Sequence, residues 1–168
     1  LVWKVKPTKI IETGVARGGS LSLSASLLAL LDATQSSNEN TKRLAVGVDI
    51  DIREHNRQNI ESHPLSRYIR LIEGSSIDAK VSEEVGSLVD DDDVVMVLLD
   101  SNHTHEHVLR ELEIYSTLVS PGSYLIVYDT VIADLPDYLH ADKPWCSKFN
   151  PKSAVKEFLK SNNNFVID

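Results

Sequence analysis

A single cysteine, Cys146, stands in a chain of 168 residues. No internal disulfide and no cysteine-rich zinc site can therefore form, a pattern that fits a reducing compartment. Basic residues are also few: 17 Lys and Arg against 25 Asp and Glu leave a net charge of −8. With no basic stripe, that balance argues against nucleic acid as a partner. No apolar run reaches membrane-spanning length and no signal peptide opens the sequence, so the cytoplasm is the expected compartment. What remains, 42% apolar and 25% charged residues, is ordinary for a globular protein, and the length suits one domain over residues 1–168.

Two further absences narrow the chemistry. The apolar segment Ile10-Ile11-Glu12 runs into the turn Thr13-Gly14-Val15-Ala16-Arg17-Gly18-Gly19-Ser20, which opens a helix. Such a turn lets the backbone approach a ligand, with glycines at 14, 18 and 19 expected at positive φ and free helix N–H groups facing polar atoms. Ala16 occupies the place where the dinucleotide fingerprint needs its second glycine, which disfavours a nicotinamide or flavin site. Gly19-Ser20-Leu21 stands where a P-loop closes on Lys-Ser/Thr, which disfavours a nucleotide triphosphate.

Strand and helix patterns alternate after that turn. Strands are expected at Lys9 to Glu12, Arg43 to Asp49, Tyr68 to Glu73, Val94 to Leu99 and Tyr124 to Asp129. Helices are expected at Ser20 to Leu31, Glu54 to Ser62, Ile77 to Leu88 and Thr104 to Leu118, with a polar loop at Ser36 to Asn40. In the first helix Leu23, Leu27, Leu30 and Leu31 share one face by their spacing and are expected to be buried; in the last, Val108, Leu112 and Tyr115. Val94 to Leu99 is continuously apolar, as befits a central parallel strand covered on both sides. Strands joined by helices predict a doubly wound, mostly parallel α/β sheet with helices on both faces, whose ligand crevice lies beyond the carboxyl ends of the strands. Glu12, Asp49, Glu73, Asp100 and Asp129 all fall at those ends. Taken singly each is equally a helix cap, but as a set they mark one polar edge.

The E-x-G-x-x-x-G-G turn resembles that of S-adenosylmethionine-dependent methyltransferases. The whole chain resembles their cephalosporin hydroxylase and rhamnosyl O-methyltransferase family, through IIETGVARGGS (10–20), VGVDIDIREHNR (46–57), IEGSSID (72–78), LLDSNHTHEHVLRELEIY (98–115), GSYLIVYDT (122–130) and NPKSAVKEFL (150–159). The resemblance implies a Rossmann-like class I methyltransferase fold and methyl transfer to a hydroxyl of a small molecule such as a sugar, polyketide or antibiotic-like acceptor. It also implies that Glu12, Gly14, Gly18, Gly19 and Ser20 surround the methionine part of S-adenosylmethionine. Asp49, or Asp51 in its stead, would accept from the ribose hydroxyls, the other capping the helix at Glu54. Gly74, Ser75 and Ser76 would border the adenine. Asp100, which also borders the cofactor, and Asp129, with Thr130 as a weaker third, resemble the Mg²⁺ ligands of metal-dependent catechol and caffeoyl-CoA O-methyltransferases. His103 stands where those enzymes carry a lysine base and is the candidate general base, with Asp100 beside it. Zinc through His103 and His107 lacks a third ligand, and no iron facial triad is present.

Val131 to Asn150 is too long for a simple connector, so Tyr138, His140, Trp145 and Phe149 are expected to wall the acceptor pocket, with Asp134 and Lys143 selecting its polar groups. The sequence opens directly before the first strand and closes on Phe165 to Asp168, which has the pattern of a sixth strand. The expectation is a fold truncated at both ends, with low stability or homo-oligomer formation at an open sheet edge. Two other functional classes share this sheet: an NAD(P)-dependent oxidoreductase, and a non-catalytic cofactor-binding scaffold.

Overall fold

A computed structural model describes residues 1–34 and 42–168; the expected loop at Ser36 to Asn40 lies outside the described residues. Five strands, β1 (Lys9–Thr13), β2 (Leu44–Asp49), β3 (Ile69–Glu73), β4 (Val95–Leu99) and β5 (Leu125–Val127), form one sheet in the order β3-β2-β1-β4-β5. Every pairing is parallel. β1 lies between β2 and β4, so strand order reverses there and a crevice opens at the carboxyl ends. The Rossmann-like architecture expected from the sequence is present.

Alternation along the strands sends side chains to opposite faces. Ile11, Val46, Val48, Val97 and Leu99 pack with Val85 of α4 (Ala79–Gly86), Leu112 of α5 (His105–Tyr115) and Phe158 of α6 (Pro151–Ser161). Ile10, Ala45, Met96 and Leu98 pack with α2 (Gly19–Thr34) and with Ile60 of α3 (Glu54–Glu61). At the opposite edge from the crevice, Lys9 pairs with Asp93 at 2.8 Å, and Thr8 hydroxyl donates to the same carboxylate at 2.6 Å. Asp93, half-buried by these contacts, anchors the start of β1.

Three expectations fail. In α2 the buried face is Leu21, Ser24, Ala25, Leu28 and Leu31, whereas Leu23 and Leu30 are 61% and 52% exposed. Leucine is spread around this helix, so spacing alone could not choose the face, and Ala25 and Ser24 permit close approach to the sheet. Phe165 to Asp168 forms no strand; Phe165 packs on Phe158 with ring centroids 5.8 Å apart, and Val166 and Ile167 are exposed. The first strand is preceded by a short helix, α1 (Val2–Val5), whose Lys4 donates to the Tyr124 hydroxyl at 2.8 Å. Among the described residues no helix is long and apolar enough to cross a membrane.

Candidate active site at the carboxyl edge of the sheet

The backbone ladder continues past the strands and brings their ends into step. Gly14 N–H donates to the Val48 carbonyl at 2.7 Å, Asp100 N–H to Thr13 at 2.9 Å, Gly74 N–H to Asp49 at 2.8 Å and Tyr128 N–H to Leu99 at 3.0 Å. Glu12, Asp49, Glu73, Asp100 and Asp129 accordingly gather along one rim, as expected. Glu73, on the edge strand, is held by Arg57 at 2.6 Å.

The turn after β1 departs from a purely glycine-driven geometry. Gly14 and Gly18 have φ of 91° and 77°, but the third left-handed residue is Ala16, at 46°. Gly19, expected at positive φ, instead begins α2 and has nothing within 4 Å of the place where a Cβ would stand. Ala16 is held in its disfavoured conformation from both sides: its N–H donates to Asp49 Oδ2 at 3.0 Å, and its carbonyl accepts from Asn56 Nδ2 at 3.0 Å. Asn56, 8% exposed, is not singled out by the sequence, where it is one polar residue among many on α3.

Asp49 accepts three backbone hydrogen bonds. Its Oδ2 also accepts from Val15 N–H at 2.8 Å, and its Oδ1 accepts from Asp51 N–H at 3.1 Å. Neither Asp49 nor Asp51 caps α3, whose N-cap is Arg53 without a side-chain bond. Asp51 carries only a 4.0 Å contact with Arg53, and its side chain is 73% exposed.

Glu12 is 2% exposed. Ser20 hydroxyl donates to its Oε1, while Oε2 is buried without a hydrogen-bond partner. Burial raises its carboxyl to about 7; the Ser20 hydrogen bond opposes the shift and the Asp100 charge adds to it. A carboxyl raised from 4.5 to about 7 binds its proton more tightly folded than unfolded, so it lowers stability as pH rises through that window. Its contribution is at most about 3 kcal/mol. Urea unfolding of wild type and Glu12→Gln between these limits is expected to show a shallower decline with pH in the variant; parallel curves would refute the assignment.

Asp100, His103 and Asp129 bring one ligand atom each to within 4.8 Å of one another. His103 Nε2 lies 3.1 Å from Asp129 Oδ2, and Trp145 packs edge-on against the His103 ring with centroids 4.8 Å apart. Asp129 has φ 53°, a left-handed turn, and its carboxylate meets residues of the segment that follows β4. Desolvation and the Asp129 charge push the Asp100 carboxyl up, and His103 draws it down. Tyr128, 42% exposed, is raised by desolvation and by Glu12 and Asp100. Asp100, raised by desolvation and by the neighbouring Asp129 charge, lies with Asp129 beside an imidazole, a site that a hard cation would relieve. Thr130 opens the 3-10 helix Thr130–Asp134 immediately after Asp129.

The other expected residues divide. Gly74 has φ 154° and lies on the same rim with Ser75, but Ser76 is 4% exposed and turned toward α5. In the long segment, Trp145 reaches the cluster, Lys143 lies 6.0 Å from the Trp145 ring, and Phe149 packs edge-on against His105 at 6.1 Å. Tyr138 is 77% exposed. His140 is buried and pairs with Asp137 at 3.2 Å, and Asp134 is bound to Lys152 at 2.8 Å, so neither is a free acceptor-selecting group.

The family described as Rhamnosyl O-methyltransferase/CmcI matches residues 1–168. Rhamnosyl O-methyltransferases of Mycobacterium tuberculosis (strain ATCC 25618 / H37Rv) and Mycobacterium bovis (strain BCG / Pasteur 1173P2) are each 25% identical over 137 residues, 79% of this chain and 50% of theirs. The chain thus spans about half the length of these curated relatives. Among solved structures, MycE methyltransferase from the mycinamycin biosynthetic pathway in complex with Mg and SAH superposes with a TM-score of 0.61 at 20% identity, over 95% of this chain and 37% of that one. A structure described as cmcI-D160 Mg-SAM gives 0.56 at 20% identity, over 95% and 56%. These two likenesses establish the fold.

Proposed function

This chain belongs to the rhamnosyl O-methyltransferase/CmcI family, and from that premise we propose that it is an S-adenosylmethionine-dependent O-methyltransferase domain, residues 1–168, acting on a small-molecule hydroxyl with the help of Mg²⁺. The observation that carries this reading is the meeting of Asp100, His103 and Asp129 at the mouth of the same crevice that holds the Glu12 turn. When bound, S-adenosylmethionine supplies an electrophilic methyl group and Mg²⁺ a Lewis acid for the acceptor oxygen.

The residues fit both. Glu12, with a buried oxygen lacking a partner, suits the ammonium of a methionine moiety. Gly14, Gly18, Gly19 and Ser20 keep the backbone beside it low. Of the two ribose candidates, Asp51 has the exposed carboxylate, with only the 4.0 Å contact to Arg53; Asp49 is the strut that braces Val15 and Ala16 and closes the ribose end from below. Gly74, Ser75 and the backbone of Ser76 border the adenine. Asp100 and Asp129 offer the oxygen ligands that Mg²⁺ prefers, Thr130 stands next to them, and His103, whose Nε2–H faces Asp129, would take the acceptor proton through its other ring nitrogen. Asp129 and Trp145 fix the His103 ring before the acceptor arrives. With the cofactor bound, the acceptor oxygen would gain the methyl group as the sulfonium S–CH3 bond breaks and S-adenosylhomocysteine leaves, so the protein's main tasks are positioning and deprotonation.

Calorimetric titration of S-adenosylhomocysteine, once with EDTA and once with MgCl₂, tests the reading. Binding is expected in both buffers. Asp51→Ala is expected to weaken binding about 10- to 100-fold, the worth of one or two hydrogen bonds to a charged acceptor, without changing thermal stability. Asp49→Ala is expected to lower thermal stability as well. Absence of binding in either buffer would overturn the proposal.

A further inference from the structure

α5 carries His107, Glu111 and Tyr115 at i, i+4 and i+8, which places them on one face of the helix. That face meets two different rim segments. Tyr115 hydroxyl donates to the Ser76 carbonyl at 2.8 Å, and Ser76 Oγ lies 3.0 Å from His107 Nε2. The same Nε2 lies 3.2 Å from Ser101 Oγ, the residue after Asp100. Ser101 Oγ in turn donates to Glu111 Oε1 at 2.6 Å. Glu111 is wholly buried, as is Tyr115, and Ser76 is 4% exposed.

The proton bookkeeping is constrained. Ser101 has one hydroxyl proton, and it goes to Glu111. Its contact with His107 therefore needs Nε2–H as the donor, shared with Ser76 Oγ. One imidazole N–H thus ties the segment after β3, which borders the adenine in the reading above, to the segment after β4, which carries Asp100. Glu111 holds the assembly from beneath. Glu111 also bears on Asp100 electrostatically, its charge helping to push that carboxyl up.

We propose that His107 is a positioning residue that couples the 74–76 segment to the Asp100 segment, so that occupancy of the cofactor's adenine end sets the placement of the cation-binding carboxylate. The functional consequence rests on the methyltransferase reading; the mechanical link does not. Coupling between two sites is reciprocal, so the cation also tightens the cofactor by the same factor.

Two measurements separate these levels. In the free protein, backbone hydrogen exchange at residues 74–78 and 100–104 is expected to quicken together, by about tenfold, in His107→Phe, because a lost hydrogen bond is worth roughly one decade of local opening. Ser76→Ala is expected to loosen the first segment and Ser101→Ala the second. His107→Gln, which keeps an N–H donor, is expected to restore part of the protection. Loosening of one segment alone in His107→Phe, or of neither, overturns the link. Titration of S-adenosylhomocysteine with and without Mg²⁺ then reads the consequence. Wild type is expected to bind several-fold more tightly with the cation, and His107→Phe equally in both buffers, the coupling having been removed. Equal coupling in both proteins, or none in wild type, overturns the functional consequence. Joint loosening in a protein that binds no S-adenosylhomocysteine at all would sink the methyltransferase reading while leaving the link standing. If His107→Phe does not fold, Ser76→Ala and Ser101→Ala carry the test, each expected to reduce the coupling.

Discussion

Methyl transfer is expected to fall by about a thousandfold in Asp100→Ala, the rate equivalent of about 4 kcal/mol of lost transition-state stabilisation. Asp100 and Asp129 come from adjacent strand ends and act as one clamp, so the double variant is expected to be little worse than either single one. The folded protein should not suffer. Desolvation and the Asp129 charge already disfavour ionised Asp100, and removing it relieves that repulsion. Melting temperature is therefore expected to stay level or rise while turnover, followed by release of S-adenosylhomocysteine, collapses. Turnover within threefold of wild type would remove Asp100 from the chemistry.

Gly14→Ala is expected to be the most damaging single methyl group in the chain. An added Cβ would stand 2.1 Å from the Asp100 carbonyl oxygen and 2.6 Å from its carbonyl carbon. Both are backbone atoms of β4's continuation, so no side chain can swing aside, and φ of 91° is itself unfavourable for alanine. A loss of about 4 kcal/mol by denaturant unfolding is expected, with the Glu12 turn and the Asp100 segment driven apart. Gly19→Ala is the matched control. Nothing lies within 4 Å of its Cβ position, and the residue sits in the first turn of a helix. Its stability is expected to change by less than about 1 kcal/mol. A bound cofactor that uses this open space would still be displaced, so loss of S-adenosylhomocysteine binding in a stable Gly19→Ala protein separates a ligand-driven glycine from a fold-driven one. A Gly14→Ala protein as stable as wild type would contradict the packing described for this turn.

Much of this arrangement was legible in the residues. Short, mostly apolar segments ending at acids marked all five strands, Val94 to Leu99 as a continuous run, and the rule that ligands gather beyond the carboxyl ends of a doubly wound sheet selected the rim. His103, three residues past Asp100, meets Asp129 although 26 residues separate them, because β4 and β5 are neighbours. Other features depend on which partner wins a contest that sequence does not display. Asp49 matched a ribose acceptor, yet two backbone N–H groups of the turn and that of Asp51 reach it first. Leucines all around α2 left its inward face undetermined until Ser24 and Ala25 set the approach. Asp134 matched a specificity residue and is occupied by Lys152 of α6. The seam of His107, Glu111 and Tyr115 does show in the sequence as an i, i+4, i+8 series, hidden among the apolar positions Val108 and Leu112 of the same helix.

The placement of β1 bears on how the chain acquires this site during synthesis. Its two neighbours arrive at different times: β2 ends at Asp49, but β4 begins only at Val95. Until β4 emerges from the ribosome, one side of β1 has no ladder partner, and the Lys9 ammonium awaits Asp93. A nascent chain can thus pair β1, β2 and β3 early, whereas the reaction end waits until β4 and β5 have been made. Domains assembled from such distant parallel pairings fold slowly and expose apolar strand edges meanwhile. Ile10 and Ile11 sit on that waiting edge, which makes the interval before Val95 the period when this protein most needs protection from wrong neighbours.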